Sequence, residues 1–184
     1  MKRILITAFE PFGGSPVNTS ALVLEKLPEQ IGGWAVEKIL LPVVFGKAAA
    51  KAIKHPADAV FLLGEAGGRK SVTPEVRGRN LRNARIPDNE GNKPEEEKIL
   101  TDGPEEYHTA FPVADVVGKM KAEGFEISVS EDAGTYVCNE TFYLTGIGSG
   151  VPVQFIHVPA EPEKVGEFAG AVLRFAELCL CDGR

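Results

Sequence analysis

Short apolar runs that alternate with helix-period segments constrain this chain more than any other feature. The runs are RILITAF (3–9), AVEKILLP (35–42), AVFLLGE (59–65), EISVSED (126–132) and VPVQFIHVP (151–159), all rich in aliphatic and β-branched residues as buried strands are. Between and after them lie TSALVLEKL, FGKAAAKAIKH, PVADVVGKMKAEG, VCNETFYLTG and PEKVGEFAGAVLRFAELCLC, whose apolar residues recur at helical spacing. Strand and helix in alternation predict an α/β fold, a mostly parallel twisted sheet with helices on both faces. With 184 residues, the chain is expected to form a single domain over 1–184. Residues 66–111 break the rhythm. Nine Gly and Pro residues, from Gly67 to Pro104, predict extended arms and loops with little helix, and loops that long are usually functional or disordered.

Composition narrows the function classes. The apolar runs are too short or too interrupted to span a bilayer, and the apolar start is cut by Glu10 and Pro11 with no cleavage pattern after it, so neither anchor nor signal peptide is expected. A net charge of -6 with scattered basic residues argues against nucleic acid as a partner. Three cysteines make no disulfide framework and suit a reducing compartment, so a cytoplasmic protein is expected.

Ligands of open α/β sheets bind beyond the carboxyl ends of the strands. That rule directs attention to FEPFGG, GEAGGRKS, AGTYVCN and HVPAEPE, and it brings Cys138 and His157 to one edge of the sheet. A thiol at a helix start feels the positive end of the helix dipole, which favours the nucleophilic thiolate, and an imidazole nearby can take and return the proton. Free Cys is also among the most buried residue types, so placement alone leaves a core role open for Cys138 and a structural one for His157. GEAGGRKS carries Gly64, Lys70 and Ser71 of a phosphate loop, but Arg69 replaces the second glycine and Pro74 blocks the helix that must follow. Cys179 and Cys181 have no further ligand residue beside them, so helix packing is expected there and no metal. His55 and His108 read as an exposed helix-end residue and an exposed loop residue. Phe9 and Phe12, interrupted by Glu10 and Pro11, predict a loop that turns aromatic faces toward a cavity.

The ordered blocks AFEPFGGSPVNTS, LPVVFGKA, GEAGGR, NARIPDNEGN, AGTYVCN and FIHVP make the chain resemble the pyroglutamyl peptidase I family, over residues 1 to about 163. The resemblance implies a cytoplasmic cysteine peptidase that needs no cofactor or metal, removes N-terminal pyroglutamyl residues from peptides and commonly forms homo-oligomers. It makes Cys138 the nucleophile, His157 the general base and acid, and Glu75 the acidic member of a triad. Phe9, Phe12 and Tyr136 match the aromatic residues around a flat lactam, and Asn18, Glu65 and Arg85 fall in blocks around the substrate. A site built to hydrogen-bond that lactam is expected to reject proline, which lacks the carbonyl. The sequence departs from the family pattern at Glu65, where many members carry glutamine, in a shorter segment between Cys138 and His157 that predicts an early end to the intervening helix, and in the lack of a loop before the last helix. The alternatives are a catalytically weakened pyroglutamyl-peptide binder and a nucleoside phosphorylase-like α/β enzyme.

Overall fold

A computed structural model describes residues 1–181. The elements run β1 (Arg3–Phe9), α1 (Thr19–Lys26), β2 (Gln30–Ile31), β3 (Trp34–Leu41), α2 (Lys47–Ile53), β4 (Ala59–Ala66), β5 (Thr73–Glu75), β6 (Arg77–Arg79), β7 (Glu106–His108), α3 (Val113–Ala122), α4 (Val137–Gly148), β8 (Val153–Pro159) and α5 (Val165–Cys181). The main sheet has the order β2-β3-β1-β4-β8-β5. Its four central strands are parallel, while β2 and β5 close the two edges antiparallel. The expected α/β class holds.

Burial on both faces explains why the central strands are nearly continuous apolar runs. Alternate residues serve opposite sides. Ile4, Ile6, Phe61, Leu63, Ile156 and Val158 pack with α1, α3 and α5, whereas Leu5, Val60, Leu62, Val153 and Phe155 pack with α2 and α4. On α5 the buried set Phe168, Ala171, Val172, Phe175, Ala176, Cys179 and Leu180 recurs every three or four residues, so one stripe faces the sheet. Cys179 therefore packs in the core, as its helical spacing implies.

The segment 126–132 does not form the expected strand. It touches the sheet only through isolated bridges, Ile127 to Val72 and Ser130 to Glu75. Strand β5, from the Gly- and Pro-rich arm, holds the edge beside β8, and period-two alternation cannot report which segment wins an edge. The short β2, β5, β6 and β7 were not foreseen either, being too short for periodicity to register. Helix α4 runs twelve residues to Gly148 rather than ending early.

Candidate active site

Four elements converge beyond the carboxyl ends of β1, β4 and β8. Phe9 ends β1, Glu65 lies near the end of β4, His157 is on β8, and Cys138 is the second residue of α4. With Phe12, Asn18, Val43, Ala133, Tyr136 and Val137 they line one cavity of about 110 Å³. That is far below the ~300–1,000 Å³ of pockets for drug-sized ligands and suits a single small ring.

Backbone register places the acid–base pair. In the β4–β8 ladder Gly64 stands opposite His157, and a methyl carbon added at Gly64 would lie 2.9 Å from Cys138 Sγ and 2.7 Å from Phe155 Cζ. The bare glycine thus lets the thiol and the Phe155 ring close on the strand beside His157. Antiparallel β5 brings Glu75 to the other side, and its Oε1 lies 2.7 Å from His157 Nδ1. A carboxylate in that position accepts a hydrogen bond from Nδ1–H, which holds the proton on Nδ1 and leaves the Nε2 lone pair free. The Phe155 ring packs against the imidazole at 4.7 Å between centroids and fixes its plane.

Glu75 is fully buried and shares Oε1 with Arg69, whose Nη2 donates at 3.1 Å. Arg69 is itself held by Thr73 Oγ1 and the Asp132 carbonyl. An arginine beside a buried carboxylate offsets part of its desolvation cost. Gln154 Nε2 donates to the Glu75 carbonyl and fixes the backbone at the same point.

The thiol departs from expectation. Burial first, then the Glu75 and Glu65 carboxylates, push Cys138 up to about 12, against the helix-start effect that favours a thiolate. Desolvation and two negative charges outweigh half-charges at a helix end. Both causes favour the protonated thiol over the thiolate in the free site.

Asn18 caps α1: its Oδ1 accepts from Ser20 N and Ser20 Oγ, and its Nδ2 donates to the Glu10 carbonyl. Glu65 Oε2 accepts from Thr19 N at 2.6 Å, so it holds the same helix start while lining the cavity. Tyr136 donates its hydroxyl to the Pro87 carbonyl and meets Phe12 and Phe45 at 6.1 and 5.4 Å between centroids. Phe9 ends a strand rather than sitting in the loop, yet its ring is at the cavity. Arg85 does not line the Cys138 cavity but an adjoining groove, which shares Phe12 and Tyr136 with it. Val43, Ala133 and Val137 were missed, because single apolar residues in loops or at a helix start carry no periodic signal. Phe45 and Gly64 were missed too, although LPVVFGKA and GEAGGRKS were both singled out. His55 is half-buried against Glu37 at 2.8 Å rather than exposed; His108 is exposed beside Glu106. The segment GEAGGRKS begins inside β4, with Gly64 in the ladder, which is no phosphate loop.

Residues 2–173 match the model of the pyroglutamyl peptidase family. The chain belongs to that family of cysteine peptidases. Among its relatives, the pyrrolidone-carboxylate peptidase of Staphylococcus saprophyticus is 40% identical over 172 residues, covering 89% of this chain and 81% of that protein. The protein of the same name from Gloeobacter violaceus is 41% identical, over 91% and 86% of the two chains. A crystal structure of a mutant pyrrolidone carboxyl peptidase from P. furiosus superposes with a TM-score of 0.92 at 31% identity, over 99% of this chain and all of that one. The pyroglutamyl peptidase I from Bacillus amyloliquefaciens gives 0.88 at 36%, over 97% and 94%. Pyroglutamyl peptidases of known structure thus share this fold over essentially the whole chain.

Proposed function

We propose that the protein removes N-terminal pyroglutamyl residues from peptides, with Cys138 as nucleophile, His157 as base and acid, and Glu75 holding the imidazole. The observation that carries this reading is a small cavity that Cys138 and His157 line together, with His157 Nδ1 bonded to a buried carboxylate. His157 Nε2 takes the thiol proton as Sγ attacks the pyroglutamyl carbonyl; the C–S bond forms and the carbonyl electrons move to oxygen. The first-turn amides of α4 have no intrahelical acceptor and stabilise that oxyanion. Collapse breaks the C–N bond, and the leaving amine takes the proton back from His157. Water, deprotonated by His157, then releases pyroglutamate from the thioester.

Phe9, Phe12 and Tyr136 cover the faces of the lactam, and Asn18 and Glu65 stand at its polar edge. Ionised Glu65 accepts the ring N–H but cannot donate to the ring carbonyl; the second Nδ2 hydrogen of Asn18 can. The test is hydrolysis of a chromogenic pyroglutamyl amide beside the matching prolyl amide. Cleavage of the first only, lost in Cys138→Ala, is expected; full turnover in Cys138→Ala would sink the mechanism. Three cysteines in 184 residues make no disulfide framework and suit the cytoplasm, and no helix among the described residues is long and apolar enough to cross a membrane. Size-exclusion chromatography tests the homo-oligomer that the resemblance implies.

A further inference from the structure

Amide hydrolysis has two sides, and the small cavity takes only the acyl side. The peptide beyond the scissile bond has to lie across the rim. That rim is formed by Phe12 and Tyr136, which also wall the adjoining groove of about 370 Å³ completed by Asn83, Arg85, Ile86 and Thr135.

Arg85 is the unusual member of that groove. Five arginines stand between residues 69 and 85, and four are engaged: Arg69 with Glu75, Arg77 with Glu106, Arg79 with Asp132, and Arg82 with Glu97 and Glu140. Arg85 is exposed, with no ion-pair or hydrogen-bond partner among the described residues. On its far side Lys93, Glu95 and Glu96 border a shallow depression, none of them at ion-pair distance. The other five groove residues are uncharged; the backbone of Asn83 bonds Thr135 through Asn83 N to the Thr135 carbonyl and Thr135 Oγ1 to the Asn83 carbonyl, and Asn83 Oδ1 accepts from Glu96 N, so Arg85 is the one cation lining the groove among the described residues.

We propose that the groove is the leaving-group subsite and that Arg85 binds the free α-carboxylate of a pyroglutamyl dipeptide. The inference rests on the peptidase reading above. One Cα separates that carboxylate from the scissile nitrogen, so it is the nearest anion any substrate can offer on this side. A guanidinium matches it with two parallel hydrogen bonds. A longer peptide, or an amidated dipeptide, places a neutral amide there and gains nothing. The rest of the molecule works the other way: a net charge of -6 and the carboxylates Glu65 and Glu75 near the cavity repel an anionic substrate. A preference for the acid therefore has to come from a local cation.

The experiment compares kcat/KM for pyroglutamyl-alanine and pyroglutamyl-alaninamide in the parent, Arg85→Met and Arg85→Lys. Whatever the substitutions do to common catalysis cancels in the acid-to-amide ratio. The parent ratio is expected at about 5, the scale of an exposed ion pair, and it should shrink from about 0.02 M to 0.5 M NaCl as screening grows. In Arg85→Met the ratio falls to 1 or below and rises toward 1 with salt, because only the repulsion remains; Arg85→Lys keeps part of the preference. A parent ratio of 1 or less, or a preference that survives in Arg85→Met, would overturn the assignment. No hydrolysis of either substrate by the parent would overturn the peptidase reading and this inference with it.

Discussion

At Cys138, the helix start and the surrounding burial pull in opposite directions, and burial with two carboxylates wins. The alkylation rate of the free enzyme by iodoacetamide follows the thiolate fraction. With the thiol pushed up to about 12, that rate should climb steadily from pH 7 past pH 10, and a plateau below pH 8 would show a standing thiolate–imidazolium pair instead. At His157 the bond from Nδ1 to Glu75 sets the tautomer, and the new positive charge of the imidazolium strengthens that bond in the transition state. Glu75→Gln should lower kcat by about 10²- to 10⁴-fold, the range for loss of the orienting carboxylate in a triad. KM should change little, because Glu75 does not line the cavity. A change confined to KM would move Glu75 into substrate binding. The residues of the proposed triad were legible in the sequence only through its resemblance to the family, in blocks such as AGTYVCN and FIHVP; spacing alone left Cys138 open as a core residue. The sequence offers Arg69 as the residue that breaks a phosphate-loop pattern or as a partner for Glu65, and nothing local signals that its guanidinium meets Glu75 on the sheet edge instead.

Among the elements, β4 and β8 do the most positioning, and Gly64 is where their packing meets the chemistry. An alanine there would put its methyl within 2.9 Å of both Cys138 Sγ and the Phe155 ring, and neither strand can move without breaking the central ladder. Gly64→Ala should cost about 1–3 kcal/mol of stability, the usual range for overpacking. It should also lower kcat at least tenfold, about 1.4 kcal/mol in the barrier, because the thiol is what has to give. Thermal unfolding together with kinetics on the pyroglutamyl amide would show this, and parental values in both would mean that the site relaxes freely. The central strands and all five helices were readable from apolar periodicity, since each buries a continuous face. Strand β5 was not. Its three residues stay at the edge because they pair with β8, and that pairing is what carries Glu75 to the imidazole.

At the scale of the whole molecule, loops far apart in sequence lock one another around the cavity. Asp88 is the clearest lock: it accepts from Phe45 N, from Glu90 N and from both the backbone and side chain of Asn92. Burial works to raise its carboxyl, but these donors outweigh burial and hold it below the usual range. A folded-state value below the unfolded one contributes stability at higher pH, and that stability is lost as pH falls from about 3.8 through the folded value. Asp88→Asn can turn an NH₂ toward donors that the carboxylate satisfied, so its melting temperature should lie below the parent's at pH 7. The gap should narrow below pH 4, where the parent carboxyl itself becomes protonated. A gap that stays constant from pH 7 to pH 3 would show that the charge on Asp88 is not what the loop uses.

By itself the sequence determined which segments are buried and with what period, and hence an α/β sheet covered on both faces. Its ordered motif blocks also determined the family and the residues that resemble its triad. Those properties are local: burial on a sheet face or helix stripe leaves a repeating apolar signature in the chain. Only the tertiary structure decided which segment takes the edge beside His157, what Arg69 and Glu65 bond to, that Arg85 faces a separate groove, and that burial and two carboxylates push the Cys138 thiol up. Each of these depends on charge, desolvation or close approach between residues tens of positions apart, and such distances through space have no period along the chain.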